Sequence, residues 1–163
     1  MIRGIHHIAI HTQNFERTCA FYKEAFGFEP VIEELSWSDN AFFDSVIGLE
    51  NTAGRLVMLK ANNMYMEVWE YSSPPGIKLA PLNPNDLGYT HFAVDTDDIE
   101  ADYQRLIAAG MTFHRTVTDE TDGIRSVYGR DPDGRLIELQ YTTADHSFSL
   151  DRLEMLKLKV RNG

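Results

Sequence analysis

The chain has 163 residues, enough for one compact domain or for two small halves that share a core, and its 43% hydrophobic content is typical of a globular protein. Its net charge of −10, with no basic cluster, argues against nucleic acid or anionic lipid as a partner. One cysteine excludes a disulfide framework, and no charged leader or membrane-length apolar run is present, so we expect a cytoplasmic protein.

The first half of the chain, residues 1–71, predicts a strand, a helix and three further strands. Residues 4–11 alternate as a half-buried strand that carries His7 on one face. An amphipathic helix follows, between a capping residue at Asn14 and a stop at Gly27. The further elements are strands over 28–35, 55–60 and 65–71, with an extra helix inserted over 37–49.

The second half, residues 88–142, repeats this order after a connector over 72–87 that holds four of the six prolines. Asp97 predicts the start of the second helix as part of a capping-box-like pair. In the tail, 143–163, we predict one short helix around residues 150–157. The predicted strands of this half are 88–95, 111–118, 123–130 and 135–142.

The shared order of elements indicates an internal duplication. His91 follows His7 by 84 residues and occupies the same place on the first strand of its half. The last strand of each half carries a glutamate, Glu67 or Glu138, among apolar and aromatic residues. The spacing from histidine to glutamate is 60 residues in the first half and 47 in the second, and the difference of 13 matches the length of the 37–49 insert.

Strand alternation indicates chemistry for these four residues. The face that packs on helices cannot accept a charge cheaply, so each glutamate belongs on the other face with its histidine. If the two sheets curl against each other, two imidazoles and two carboxylates converge, and a divalent cation compensates the carboxylates. Taken singly, a strand histidine is more often a packed or surface residue than a ligand. The repeat makes metal ligands of His7, Glu67, His91 and Glu138 the preferred interpretation.

The chain also resembles members of the vicinal oxygen chelate superfamily, which includes glyoxalase I, methylmalonyl-CoA epimerase, extradiol dioxygenases and fosfomycin or bleomycin resistance proteins. The resemblance covers residues 4–142. It implies an α+β fold in which two βαβββ modules form a curved eight-stranded mixed sheet, with the whole chain as one domain. The motifs that carry it are His7-Ile8-Ala9-Ile10, Met66-Glu67-Val68, Tyr89-Thr90-His91-Phe92-Ala93-Val94 and Asp131-Pro132-Asp133-Gly134-Arg135-Leu136-Ile137-Glu138-Leu139.

The His-Glu-His-Glu set is similar to that of bacterial glyoxalase I and related epimerases. It implies one divalent cation (Ni, Co, Zn, Mn or Fe) and a lyase or isomerase that moves a proton next to a carbonyl through an enediolate. Glu138 is the first choice for the base, and Glu67 could serve on the opposite face. The implied substrate is an α-oxo or α-hydroxy carbonyl compound. The candidate substrate-binding residues are His11, where glyoxalase I has an arginine, together with Trp69, Tyr65, Tyr89 and Arg125.

Several alternatives remain open from the sequence. The same scaffold could support an Fe(II) extradiol-type dioxygenase, or a protein that sequesters a small molecule without turnover. The 37–49 insert could be a lid over the site or a helix that completes the core. The resemblance implies a homodimer, in which the metal site could form within one chain or between two.

Overall fold

The computed structural model describes residues 4–150 and 152, which divide into two compact units. Unit 1 ends at Ala80 and unit 2 begins at Pro81, so the division falls inside the proline-rich connector. Leu150 and Arg152 are helical, while the rest of the predicted tail helix, including residues 153–157, lies outside the described residues. None of the helices within the described ranges has the length and apolar character that a membrane span needs.

Unit 1 is a mixed sheet with two helices. Its elements are β1 (Ile8–His11), α1 (Phe15–Phe26), β2 (Glu29–Pro30), β3 (Leu35–Trp37), α2 (Ala41–Ile47), β4 (Ala53–Ala61) and β5 (Met64–Ser73). The strand order in the sheet is β1-β5-β4-β2, and β3 also pairs with β4. Only the β1–β5 pair is parallel.

Helix α1 begins and ends where its capping residues predict. The Asn14 side chain accepts a hydrogen bond from the backbone N–H of Arg17, and Gly27 adopts a left-handed φ of 69° at the other end. The inner face of α1 buries Tyr22 completely, and Met66 and Val68 of β5 are equally inaccessible. This apolar layer determines which face of the sheet α1 covers, and Glu67, which alternates with Met66 and Val68, lies on the other face.

The region between α1 and β4 differs from its prediction. The single strand predicted over 28–35 is present only as the short strands β2 and β3. Pro30 has no N–H to donate to a ladder, and the adjacent glutamates favour solvent, so pairing stops there. The inserted helix is present, but it is shorter than predicted because Trp37 belongs to β3 and α2 begins after an Asn40 cap.

Unit 2 repeats the architecture with a four-stranded sheet of order β6-β9-β8-β7, in which only β6 and β9 are parallel. Its helix is capped by Asp98, whose side chain accepts from the N–H of Ala101; the prediction of Asp97 was wrong by one residue. The strand predicted over 111–118 is reduced to two residues. The elements are β6 (His91–Asp95), α3 (Ile99–Ala108), β7 (Thr112–Phe113), β8 (Ile124–Arg130) and β9 (Leu136–Thr142).

The α+β class with mixed sheets is confirmed, and the described residues form nine strands in two sheets, where eight were predicted. The additional strand is β3, which lies in the insert. The stretch 31–52 between β2 and β4 contains 22 residues, whereas 114–123 between β7 and β8 contains 10. The insert therefore accounts for most of the length difference between the two modules.

Gly54 lies where a side chain has no room. A Cβ there would be 2.9 Å from the Trp37 ring and 3.1 Å from Cα of Tyr71, and it would overlap the carbonyl oxygen of Glu70. Because two of these obstacles are backbone atoms, we expect Gly54→Ala to lower the free energy of unfolding by about 1–3 kcal/mol in urea denaturation. Ser36→Ala on exposed β3 is the control and should change stability by less than about 0.5 kcal/mol. Equal stability of the two variants would contradict the close packing at Gly54.

Cys19 lies on α1 beside a cavity of about 730 Å³ whose apolar walls include Phe28 and Leu59. Burial, and secondarily the nearby carboxylate of Glu34, raises the pKa of its thiol from 9.0 to about 11. Since each pH unit changes the thiolate fraction tenfold, we expect alkylation by iodoacetamide at pH 7.5 to be about 100-fold slower than in the urea-unfolded protein. Equal rates in the folded and unfolded protein would show that the thiol is not protected.

Candidate metal centre

In unit 1 the predicted histidine and glutamate meet on the face of the sheet opposite α1. Strand β1 pairs in parallel with β5 so that Ala9 lies beside Glu67, and His7 lies two residues before Ala9, immediately ahead of β1. The Nε2 atom of His7 is 3.3 Å from Oε2 of Glu67. That carboxylate oxygen also accepts a hydrogen bond of 2.9 Å from the indole N–H of Trp69. The glutamate is thus oriented by two neighbours before any ligand binds.

Unit 2 contains the same pair in the same register. Ala93 lies beside Glu138 across the parallel β6–β9 pair, and Nε2 of His91 is 3.5 Å from Oε2 of Glu138. Tyr128 on β8 is the antiparallel partner of Glu138, and its hydroxyl is 3.3 Å from the same histidine nitrogen. Burial, and the negative charge of Glu138, raise the pKa of the Tyr128 phenol, so it remains protonated at neutral pH.

The chemistry and spacing of each pair fit a divalent cation. Imidazole nitrogen and carboxylate oxygen are suitable ligands for Mn, Fe, Co, Ni and Zn. Two such atoms bound at about 2.1 Å and separated by about 90–109° at the metal would be roughly 3.0–3.4 Å apart, close to both observed distances. Both glutamate side chains are only 15% exposed, while His7 and His91 are 34% and 28% exposed, so each pair is accessible from its imidazole side. Taken unit by unit, the described residues bring together two such ligands, not three or more.

The other nitrogen of each histidine also has a partner, which the sequence prediction did not include. Nδ1 of His7 is 2.8 Å from Nδ1 of His6, and Nδ1 of His91 is 3.0 Å from the hydroxyl of Thr90. Strict alternation along the strand predicted over 4–11 would place His6 on the face opposite His7. It lies before the first residue of β1, where alternation does not apply. His6 and Thr90 each directly precede the histidine of their half, and this equivalence in the repeat is the sequence signal that could have identified both residues.

An aromatic cluster adjoins Glu67 in unit 1. Trp69 stacks on Tyr71 with ring centroids 5.6 Å apart, and the edge of Trp37 meets Trp69 at 5.2 Å. Phe43 of α2 stacks on Trp37 at 5.0 Å, so the insert contributes two of the four rings. Burial, and then Glu67, raise the pKa of the Tyr71 phenol. These rings form an apolar wall beside the carboxylate.

Hydrogen bonds hold α2 in this position. The carboxylate of Asp44 accepts from the backbone N–H groups of Asn51 and Thr52 at 2.9 Å each, and from the Thr52 hydroxyl at 2.5 Å. The same hydroxyl accepts from the indole N–H of Trp37. The helix is therefore tied to the aromatic cluster through a buried threonine. These hydrogen bonds hold the Asp44 carboxylate as the ion and lower its pKa.

Three other predicted substrate residues lie at different places. His11 is on the Glu67 face, with Nδ1 3.2 Å from the Trp69 carbonyl oxygen and its ring against Tyr71. Tyr65 stacks on His6 with centroids 6.0 Å apart. Tyr89 is 69% exposed and precedes β6. The first two border the His7–Glu67 pair, whereas Tyr89 lies two residues before His91, outside β6.

Arg125 requires a correction. Arg125 and Tyr128 lie on opposite faces of β8. The Arg125 guanidinium forms an ion pair with Glu100 of α3 and donates a hydrogen bond to the carbonyl oxygen of Thr118. Its charge alone suggested contact with a substrate, and strand parity opposes that prediction. An arginine on the helix side of the sheet stabilises packing of α3 and is separated from Glu138 by the sheet itself.

The same fold occurs in a known protein family. Residues 4–139 match the model of the Glyoxalase/Bleomycin resistance protein/Dioxygenase superfamily. The chain belongs to this superfamily. The match extends over both modules.

Two curated superfamily relatives are similar over most of their length. The metallothiol transferase FosB of Shouchella clausii is 29% identical over 147 residues, which cover 88% of this chain and 83% of that protein. The uncharacterised protein YwkD of Bacillus subtilis is 26% identical over 140 residues, covering 85% and 97%.

Solved structures agree with the superfamily fold. A glyoxalase family protein from Bacillus cereus superposes with a TM-score of 0.78 at 20% identity, covering 88% of this chain and 97% of the other. The fosfomycin resistance protein FosX from Listeria monocytogenes, in a crystal with Mn(II) and sulfate, gives a TM-score of 0.55 at 19% identity, with 89% and 97% covered. At such identities the likeness concerns the fold.

Proposed function

We propose that this protein is a divalent-metal-dependent lyase or isomerase that transfers a proton at the carbon next to a carbonyl group. The observation that carries the proposal is the matched pair of contacts, His7 with Glu67 and His91 with Glu138, at equivalent register in two modules. One isolated histidine–glutamate contact would be an ordinary surface feature. Its repetition in both modules, on the sheet face opposite α1 in unit 1 and opposite α3 in unit 2, favours a functional donor set.

The four side chains His7, Glu67, His91 and Glu138 are the proposed ligands of one cation. When bound, the cation supplies a Lewis acid that stabilises negative charge developing on the substrate's carbonyl oxygen. The name of the related metallothiol transferase, and the Mn(II) in the Listeria crystal, support metal use in this superfamily. The identity of the metal here is a matter for measurement, because the donor set suits several ions.

Glu138 is the proposed base. The carboxylate of Glu67 accepts a hydrogen bond from the Trp69 indole, a group that can only donate and that does not act as an acid at neutral pH. Glu138 instead lies beside the Tyr128 hydroxyl, which can both donate and accept. A base that must accept and return a proton is better placed beside such a group. Glu67 would serve as the second base if the enzyme inverts the carbon.

The proposed substrate is an α-oxo or α-hydroxy carbonyl compound with an apolar portion. The wall of Trp69, Tyr71, Trp37 and Phe43 would contact that portion, since flat rings bury large apolar area without charge. His11 and Tyr65 border the pair on the same side. We further propose that the protein is a homodimer. Light scattering in solution would measure its mass directly.

The test begins with metal analysis of the native protein, followed by reloading of chelator-treated protein with Mn, Co, Ni, Zn or Fe(II). Candidate substrates are α-hydroxycarbonyls, dicarbonyl–thiol adducts and acyl-CoA epimers, incubated in deuterium oxide and followed by NMR. We expect metal-dependent loss of one α-proton signal for at least one class. Bound metal without exchange for any class would contradict proton transfer as the activity.

A thiol transferase is the second candidate, and the 29% identity to a metallothiol transferase favours it. It would join a thiol to an electrophilic substrate without exchanging an α-proton. Mass spectrometry of a mixture of low-molecular-weight thiols and an epoxide, with and without metal, separates the two candidates. Oxygen uptake with catechols after anaerobic iron loading would instead favour a dioxygenase, and ligand binding without any turnover would favour sequestration.

A further inference from the structure

The residue that precedes each candidate histidine ligand makes the same kind of contact in both modules. Nδ1 of His7 is 2.8 Å from the His6 ring, and Nδ1 of His91 is 3.0 Å from the Thr90 hydroxyl. In both cases the opposite nitrogen, Nε2, is directed at the glutamate of the same module. Two different side chains thus occupy one position of the repeat and contact the same ring atom.

The local backbone explains how a neighbouring residue can reach that atom. Inside a strand, successive side chains point to opposite faces, so residue i−1 could not contact the ring of residue i. β1 begins at Ile8 and β6 begins at His91, which leaves His6, His7 and Thr90 outside the strands. Tyr65 stacks on the His6 ring with an interplanar angle of 17° and holds it beside His7.

This arrangement determines which nitrogen can bind a metal. A neutral imidazole has one N–H and one lone pair, and a metal needs the lone pair. If Nδ1 carries the proton and its N–H donates a hydrogen bond to His6 or Thr90, the lone pair lies on Nε2. Nε2 is the atom that is close to the glutamate. At His91 the Tyr128 hydroxyl, 3.3 Å from Nε2, is placed to donate to the same lone pair.

We propose that His6 and Thr90 are matched positioning residues, which hold the Nδ1–H tautomer of His7 and His91 and so present Nε2 to the metal. The inference rests on the proposed metal site and adds two residues that are not ligands themselves. Because outer partners of this kind typically contribute 10–100-fold to metal affinity, the effect is measurable without any substrate.

The experiment measures Zn²⁺ affinity by calorimetry on the full chain. We expect Thr90→Val, which keeps the shape of threonine without its hydroxyl, to bind about 10–100-fold more weakly, and Thr90→Ser to recover most of the loss. His6→Ala should weaken binding similarly and His6→Asn less. Thr112→Val, the same change on exposed β7, is the matched control and should bind as the wild type does.

A spectroscopic measurement separates positioning from a general packing effect. In Zn-loaded protein labelled with ¹⁵N-histidine, the wild type should show both rings protonated at Nδ1 and bound through Nε2. Thr90→Val should change the His91 signals and leave those of His7 unaltered. Wild-type Zn binding with unchanged affinity and tautomers in both Thr90→Val and His6→Ala would overturn this inference alone, whereas a wild type that binds no divalent metal would overturn the proposed function as well.

Discussion

Replacing Glu138 by glutamine is expected to lower kcat for α-proton exchange by about 10²–10⁴-fold, the range that a positioned general base contributes. Glutamine has nearly the shape of glutamate, so the contacts of Tyr128 and His91 around it should persist. It cannot take up a proton at neutral pH. The measurement is the rate of deuterium incorporation into substrate by NMR at saturating metal.

The control variant is Glu33→Gln, which removes an exposed carboxylate between β2 and β3 and should leave exchange unchanged. Metal content is measured for each variant, since Glu138 is also a proposed ligand. If Glu138→Gln regains wild-type exchange once enough metal is added, Glu138 is a ligand and not the base. Glu67→Gln then distinguishes the reaction types: an epimerase loses exchange from one stereoisomer, while a lyase that uses one face retains part of its rate.

Metal binding is expected to stabilise the folded chain strongly. At a free metal concentration 100-fold above Kd, binding to the folded state alone adds about 2.7 kcal/mol to the free energy of unfolding, which for a protein of this size raises Tm by roughly 5–10 °C. His91→Ala removes one ligand and should abolish most of this shift. The measurement is thermal unfolding with and without chelator, repeated for Mn, Co, Ni and Zn.

His146→Ala is the matched control, because His146 lies after the last strand and contacts Phe148 and not a glutamate. It should keep the full metal-dependent shift. A chelator-insensitive Tm in the wild type would argue for the sequestering alternative. A shift that survives in both His91→Ala and His7→Ala would place the metal at other residues.

Much of the architecture could be predicted because it depends on short-range rules. Asn14 and Gly27 bound α1 since a capping side chain and a left-handed backbone are local requirements. The assignment of Glu67 to the sheet face opposite α1 followed from period-two alternation with Met66 and Val68, both fully buried in the structure. Glu138 was assigned by the same alternation in the second half, where Ile137 and Leu139 are buried.

Other features were missed because they depend on where strands stop and on what packs across them. Strand β2 ends at Pro30, well short of the predicted boundary, and the helix cap moved from Asp97 to Asp98. Arg125 was expected near the site, yet parity with Val127 places it against α3. Composition cannot distinguish an arginine on one face of a strand from one on the other when the register is unknown.

The amino-acid sequence by itself predicted the repeated βαβββ order, helices α1 and α3, and one histidine with one glutamate per module. It could do so because periodicity and capping are encoded within a few residues of each other. Only the tertiary structure decided the partners of those residues: the Trp69 indole on Glu67, the Tyr128 hydroxyl beside His91, and the contacts of His6 and Thr90 with Nδ1. These contacts depend on strand register and on where each strand begins, which are settled by packing between distant segments.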